Sequence, residues 1–172
     1  TGHYLNWAKN PTTSRTRLEI MQEAATNLLD NMSDNVNVGL MRYSNDSSSN
    51  ADGGMVMHPI ERIEDARGPI KAAIADFRAS GWTPLSETLY EAHQYFVGDS
   101  VVWGRTSDQF RDVDNSDTPS VPAACVGGVN CTASGVKYKS PMTEDCQKNF
   151  IVFLTDGLPT RDVSSDDDIE KL

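Results

Sequence analysis

The longest apolar run of the chain is Phe150-Ile151-Val152-Phe153-Leu154, and it ends abruptly at Thr155-Asp156-Gly157. A continuously apolar run of this length is typical of a parallel strand that is covered by helices on both faces. In open α/β sheets, ligands bind outside the carboxyl ends of the strands. The run therefore predicts a central strand of an open, mostly parallel α/β sheet, with Asp156 at the ligand-binding edge.

The preceding part of the chain shows helix and strand patterns in turn. Apolar side chains that recur every three or four residues predict helices over residues 15–32, about 66–77 and about 84–97. Two strands are predicted at 36–43, from its alternating pattern, and at 55–57. This order indicates a sheet with helices on both faces, in a Rossmann-like arrangement.

The apolar positions also predict which helix faces are buried. The face of the first helix consists of Leu18, Met21, Ala25, Leu28 and Met32. The face of the third helix consists of Leu85, Leu89, Ala92 and Phe96. We expect both faces to lie against the sheet.

Size and charge limit the classes of function. The 172 residues are enough for one domain with a buried core. A formal net charge of −10 argues against nucleic acid and anionic membranes as partners, because phosphate binding draws on clustered Lys and Arg. No apolar run approaches the ~20 residues of a membrane span. The acidity indicates solubility and cation binding at a few places.

The three cysteines fall within residues 98–149, a polar stretch without a helical or strand period. A structureless connection of about fifty residues is uncommon in a compact domain and predicts a functional insertion. Cys125, Cys131 and Cys146 are candidates for disulfide stapling, which requires an oxidising compartment. A zinc site is the alternative, but it has neither a CxxC spacing nor a nearby histidine. We expect Cys146 to be oxidised.

Two loops bring oxygen-bearing side chains to the predicted edge of the sheet. Trp82 and Thr83 precede the third helix, and Asp156 and Gly157 follow the apolar run. Hydroxyl and carboxylate oxygens suit Mg²⁺ and Ca²⁺, so Thr83 and Asp156 are the candidate metal ligands, with Trp82 and Gly157 beside the ligand. The plainer alternatives are a helix N-cap for Thr83, a turn for Asp156 and core packing for Trp82.

The order of these segments resembles a von Willebrand factor A domain. The resemblance rests on the strand Val36–Leu40, the hairpin glycines, Gly81–Leu85 and Phe153–Gly157, and it covers nearly all of the chain outside 98–149. It implies a metal-ion-dependent adhesion site, in which Thr83 and Asp156 match one threonine and one aspartate of the family. The family's Asp-x-Ser-x-Ser motif is absent from this sequence, so the site is expected to be incomplete.

The flanks resemble the von Willebrand A region of type IV pilus tip adhesins, through Tyr4–Trp7 and Cys146–Phe150. This implies a non-enzymatic adhesion module at the pilus tip, exported through the periplasm, that binds an acidic ligand or a surface through a divalent cation and assists pilus assembly. Its expected partners are minor pilins, host or abiotic surface ligands, and the rest of the same polypeptide. The alternatives are a metal-braced cap that docks on minor pilins, and a metal-dependent hydrolase, which lacks a recognisable nucleophile or base.

The resemblance also implies that part of the domain is missing from residues 1–172. The family places strand one centrally, between the strands predicted at 36–43 and 150–154, whereas residues 1–14 are too polar for such a strand. Its absence leaves buried backbone groups unpaired, at about 1–3 kcal/mol each. We therefore expect a partial domain, without strand one and the last strands, that does not fold as a native domain alone.

Overall fold

A computed structural model describes residues 15–43, 53–79, 83–105, 120–129, 131–155 and 162. Within these ranges the chain is a mixed α/β protein with three helices and two strands. The elements are α1 (Arg17–Asn31), β1 (Asn37–Tyr43), β2 (Gly54–Arg62), α2 (Ile63–Ala75) and α3 (Leu85–Val97). Short 3₁₀ turns follow at Trp103–Arg105, Pro122–Ala124 and Val126–Gly128. No helix in this part of the chain is long and apolar enough to cross a membrane.

The two strands form an antiparallel hairpin, with Met41 opposite Val56 and Tyr43 opposite Gly54. The register shifts on both sides of Leu40, where the pairing is irregular. The predicted strand at 36–43 is confirmed, and β2 runs well beyond the predicted 55–57. The first and third helices are confirmed to within two residues at each end, and α2 begins three residues before the predicted helix.

One core lies between the hairpin and the helices α1 and α2. Its buried residues are Ala25, Leu29, Ile63, Ala66, Ile70 and Ile74. Leu40 packs against this core, whereas the adjacent Met41 packs against the second one. Neighbouring residues of a strand point to opposite faces, so the hairpin is covered by different elements on its two sides.

The second core joins β2 and α3 to the insertion, the name used here for residues 98–149. Its buried residues are Val56, Tyr95, Val101, Ala124, Cys125, Cys131, Val136 and Tyr138. The Val121 amide donates to the Val56 carbonyl at 2.9 Å, and the Val56 amide donates to the Ser120 hydroxyl at 3.0 Å. The Ile60 amide donates to the Tyr95 hydroxyl at 2.8 Å. The insertion and α3 therefore satisfy the outer edge of β2.

The predicted buried faces of the helices are wrong in part. Leu28 of α1 is exposed, and its neighbour Leu29 is buried. Leu89 of α3 is also exposed, whereas the polar Glu87 and Glu91 are fully buried. The face of α3 that the insertion covers is polar because the insertion supplies backbone and hydroxyl donors to it. Apolar periodicity does not detect such a face.

The predicted buried strand at 150–154 is also wrong. These residues form no strand, and all five side chains are exposed, with Phe150 at 81 % and Val152 at 67 %. Within the described ranges no other strand lies beside them, and the sheet contains β1 and β2 alone. Without a neighbouring strand the backbone has no ladder to join, and the parallel sheet predicted from this run is not observed.

Arg67 of α2 joins the two helices of the first core by hydrogen bonds, and its substitution should lower the stability of the protein measurably. Its guanidinium donates to the carbonyls of Leu29 (3.1 Å) and Met32 (3.2 Å) at the C-terminal end of α1. Cations stabilise this end of a helix, and the last carbonyls need donors. We expect Arg67→Met to lower the free energy of unfolding by about 1–2 kcal/mol. Urea denaturation should show no comparable loss for the exposed Arg78→Met.

Candidate functional site

The candidate site lies at the N-terminal end of helix α3. Thr83 is half-buried two residues before the helix, and its carbonyl accepts from the Leu85 amide at 3.0 Å. Pro84, at the N-cap position, supplies no side-chain cap. The first amides of a helix have no partner within it and carry partial positive charge, so this end favours an anionic group.

A carboxylate far away in sequence caps this end of α3. The Ser86 amide donates to Asp162 Oδ1 at 2.5 Å. Ser86 is the second residue of the helix, where capping side chains normally accept. Asp162 belongs to an acidic, serine-rich stretch, and sequence reasoning did not assign it to this helix because the contact spans 76 residues.

A second polar group lies one turn further along α3. Thr88 is buried at 5 % exposure, and its hydroxyl oxygen has no hydrogen-bond partner in the described part of the chain. The same side chain leaves no room for a Cβ at Gly54, the first residue of β2. This close contact fixes the start of α3 against the hairpin.

The structure tests the predicted site residues only in part. Thr83 lies just before α3, but Pro84 occupies the N-cap position and no side chain of the N-cap makes a capping hydrogen bond, so the alternative interpretation of Thr83 as the N-cap is wrong. Trp82, Asp156 and Gly157 lie outside the described residues. Thr83 and Asp162 provide oxygen atoms, the donor type that Mg²⁺ and Ca²⁺ prefer. In the described ranges no three His, Cys, Asp or Glu side chains are grouped to hold a metal ion.

The buried carboxylate of Glu91 is the centre of a polar cluster between α3 and the insertion. Its Oε1 accepts from the amides of Val102 (3.1 Å) and Gly104 (3.2 Å) and from the Tyr138 hydroxyl (2.6 Å). Its Oε2 accepts from the Trp103 amide at 2.9 Å. Glu91 is fully buried, so this cluster connects α3 to the insertion and does not face solvent.

Two neighbours complete the cluster around Glu91. Ser120 Oγ lies 3.0 Å from the Tyr138 hydroxyl, which links the cluster to the edge of β2. A Cβ on Gly104 would overlap both hydroxyls, so the turn after Trp103 requires glycine. Sequence reasoning missed Glu91 because a glutamate on a helix is usually exposed. Apolar periodicity gives no signal for it, because most of the buried residues of α3 are polar.

Burial governs the ionisation of this cluster. Removal from water raises the pKa of Glu91 above its ordinary value, although the hydrogen bonds from Tyr138 and the three amides oppose the shift. Burial, followed by the nearby charge of Glu91, raises the pKa of Tyr138, which keeps its hydroxyl protonated as a donor.

The cysteines behave differently from one another. Cys125 and Cys131 form a disulfide, and both are buried in the second core. Cys146 is exposed and free, so the expectation that it is oxidised is wrong. It lies beyond the two isolated β-bridges of the insertion, Ser100–Lys137 and Cys125–Tyr138, and away from the buried pair.

Comparison with known proteins gives no match: no family model, no curated protein and no solved structure is significantly similar to this chain.

Asp162 should be needed for the first turn of α3. Asp162→Ala removes an acceptor from the Ser86 amide, at a cost of about 0.5–2 kcal/mol in the free energy of unfolding. Asp162→Asn keeps an acceptor and should cost less, about 0.3–1 kcal/mol from the helix dipole. Amide exchange at Ser86 is the direct measurement. Equal protection in wild type and Asp162→Ala, with the exposed Asp145→Ala as control, would contradict the capping role.

Among substitutions of polar side chains in the described part of the chain, we expect Glu91→Ala to lower the free energy of unfolding the most. It leaves the buried amides of Trp103 and Gly104, the part-buried amide of Val102 and the Tyr138 hydroxyl without their acceptor, so we expect a loss of about 3 kcal/mol or more. Chemical denaturation measures this loss, and Glu144→Ala, at an exposed position, is the matched control. A loss as small as that of the control would mean that the insertion is held by its other contacts.

The raised pKa of Glu91 predicts a specific pH dependence. Because the folded state holds this proton more tightly than the unfolded state, the contribution of Glu91 to stability is fully present below its ordinary pKa and declines as pH rises through the raised folded-state value. Relative to Glu91→Gln, the wild type should therefore lose stability from acidic to neutral pH. Denaturation of both proteins across that range tests this, and a pH-independent difference would contradict it.

Proposed function

We propose that this chain is an adhesion module of the type IV pilus tip, of von Willebrand A type, which binds an acidic ligand or a surface through Mg²⁺ or Ca²⁺ and assists pilus assembly. The protein is proposed to act outside the cytoplasm, after export through the periplasm, without enzymatic activity. Thr83 and Asp156 are the proposed metal ligands, and minor pilins are the proposed assembly partners.

The observation that carries this proposal is the N-terminal end of α3. A threonine hydroxyl precedes a helix whose first turn already attracts a carboxylate, that of Asp162. The positive end of the helix favours the acidic ligand and not the cation, so a divalent cation there would have to be held by the oxygen atoms of Thr83 and Asp156. When bound, the cation would supply an open coordination position for a carboxylate of the partner. The chain itself would orient that partner through Thr83 and the amides of the helix.

The disulfide gives separate support for the proposed compartment. Cys125 and Cys131 are paired in the insertion, and such bonds persist in oxidising environments. The alternative function, a metal-braced cap that docks on minor pilins, uses the same residues but needs no ligand at the metal.

Cation binding by the 172-residue chain tests the site. Two protein oxygens leave most coordination positions to water, so we expect affinity no better than ~millimolar for Mg²⁺ or Ca²⁺. Thr83→Ala and Asp156→Ala should each weaken binding severalfold, and Thr83→Ser, which keeps the hydroxyl, should not. Isothermal titration measures this, with Thr143→Ala and Asp145→Ala as controls at exposed positions. Unchanged affinity in Thr83→Ala would remove the proposed site.

Attachment separates the two candidate functions. We expect the protein to attach to surfaces only when Mg²⁺ or Ca²⁺ is present. Attachment that persists in EDTA while minor pilins still bind would favour the structural cap.

A further inference from the structure

The segment Phe150–Leu154 presents an apolar surface that the described part of the chain leaves exposed. The exposed fractions alternate along the first four residues: Phe150 81 %, Ile151 46 %, Val152 67 % and Phe153 38 %. A period of two is the period of an extended chain, in which alternate side chains point to opposite sides. Contiguous exposed apolar surface of this kind usually marks an interaction site.

The less exposed side of this segment rests on the end of β1. The rings of Phe153 and Tyr43 are 6.0 Å apart, with their planes tilted by 52°. The Tyr43 hydroxyl also lies 3.5 Å from the Leu154 carbonyl. These contacts hold the segment against the domain and leave the row that contains Phe150 and Val152 facing outward.

We propose that Phe150–Leu154 is a homotypic docking strand, which pairs antiparallel with the same segment of a second copy of this chain, centred on Val152. In this register Val152 lies opposite itself, and Phe150 lies opposite Leu154 of the other copy. Every apolar side chain therefore meets an apolar side chain. The segment contains no Pro, no Gly and no charge, and its β-branched and aromatic residues favour a strand.

The flanking charges favour this partner and this orientation. Lys148 stands four residues before Val152, and Asp156 stands four residues after it. Antiparallel pairing about Val152 places Lys148 of each copy opposite Asp156 of the other. A parallel, in-register pair would place like charges side by side, which is unfavourable. Antiparallel pairing of two copies therefore matches apolar residues with apolar residues and a positive charge with a negative one.

Association is tested with the 172-residue chain by sedimentation velocity. Cys146→Ser serves as the background, because the free thiol would otherwise crosslink, and EDTA excludes bridging by a cation. We expect a concentration-dependent dimer. Val152→Lys should weaken the dimer by about tenfold or more, since it buries two like charges against each other. Val129→Lys, at another exposed valine, should leave the dimer unchanged.

Crosslinking tests the register. In the same background, Val152→Cys should form an intermolecular disulfide with itself under mild oxidation, and Val129→Cys should not. Circular dichroism confirms that the variants are folded. A chain that stays monomeric at all concentrations, a dimer that survives Val152→Lys, or equal crosslinking at Val129 would overturn the proposal. A monomer that instead binds an added extended apolar peptide would overturn the second copy as the occupant.

Discussion

The carboxylate of Glu91 is the interaction on which the second half of the structure depends. Its oxygens accept hydrogen bonds from three consecutive backbone amides and from the Tyr138 hydroxyl. One side chain of α3 therefore fixes both the turn after the helix and Tyr138 of the insertion. A buried carboxylate is costly unless its oxygens are satisfied. Here the satisfaction of those oxygens is also what holds the insertion on the edge of β2.

This arrangement explains why the hairpin does not depend on the insertion alone. Its other face is packed by α1 and α2 through apolar contacts, and Arg67 joins these two helices to each other. One side of the sheet is thus held by apolar burial, and the other by a second apolar core together with the buried polar network of Glu91. Substitutions in the core between the hairpin, α1 and α2 should cost little stability when volume is kept, because apolar cores tolerate substitutions of similar volume. The polar side offers little such tolerance, since each donor there has a single acceptor.

Local patterns in the sequence predict the elements better than they predict the contacts. The helices α1 and α3 and strand β1 follow from their own periodicity, whereas the preference of helix ends for threonine does not hold here, because Pro84 and not Thr83 is the N-cap of α3. Phe150–Leu154 shows the limit of this approach. Its composition predicts a strand, but a strand forms only beside another strand. The composition of one segment does not show whether such a neighbour is present.

The candidate site shows the same limit. Thr83 was found from its motif, whereas Asp162 caps the same helix from 76 residues away and has no local signal. Glu91 was missed for a related reason, because its donors lie in a segment without periodicity. Contacts made by irregular segments are set by the whole fold. Sequence reasoning therefore names the helix that carries the site and not the groups that complete it.

The position of the disulfide has a consequence for the order of assembly. Cys125 and Cys131 are only six residues apart, so the loop they close restricts the unfolded chain much less than a long loop would. Through chain entropy such a bond adds about 2 kcal/mol to global stability, roughly half of what a 100-residue loop would add. Its short span also means that it can form on a nascent chain before any distant contact exists. The loop from Cys125 to Cys131 can therefore be closed before both cysteines are buried in the second core beside β2.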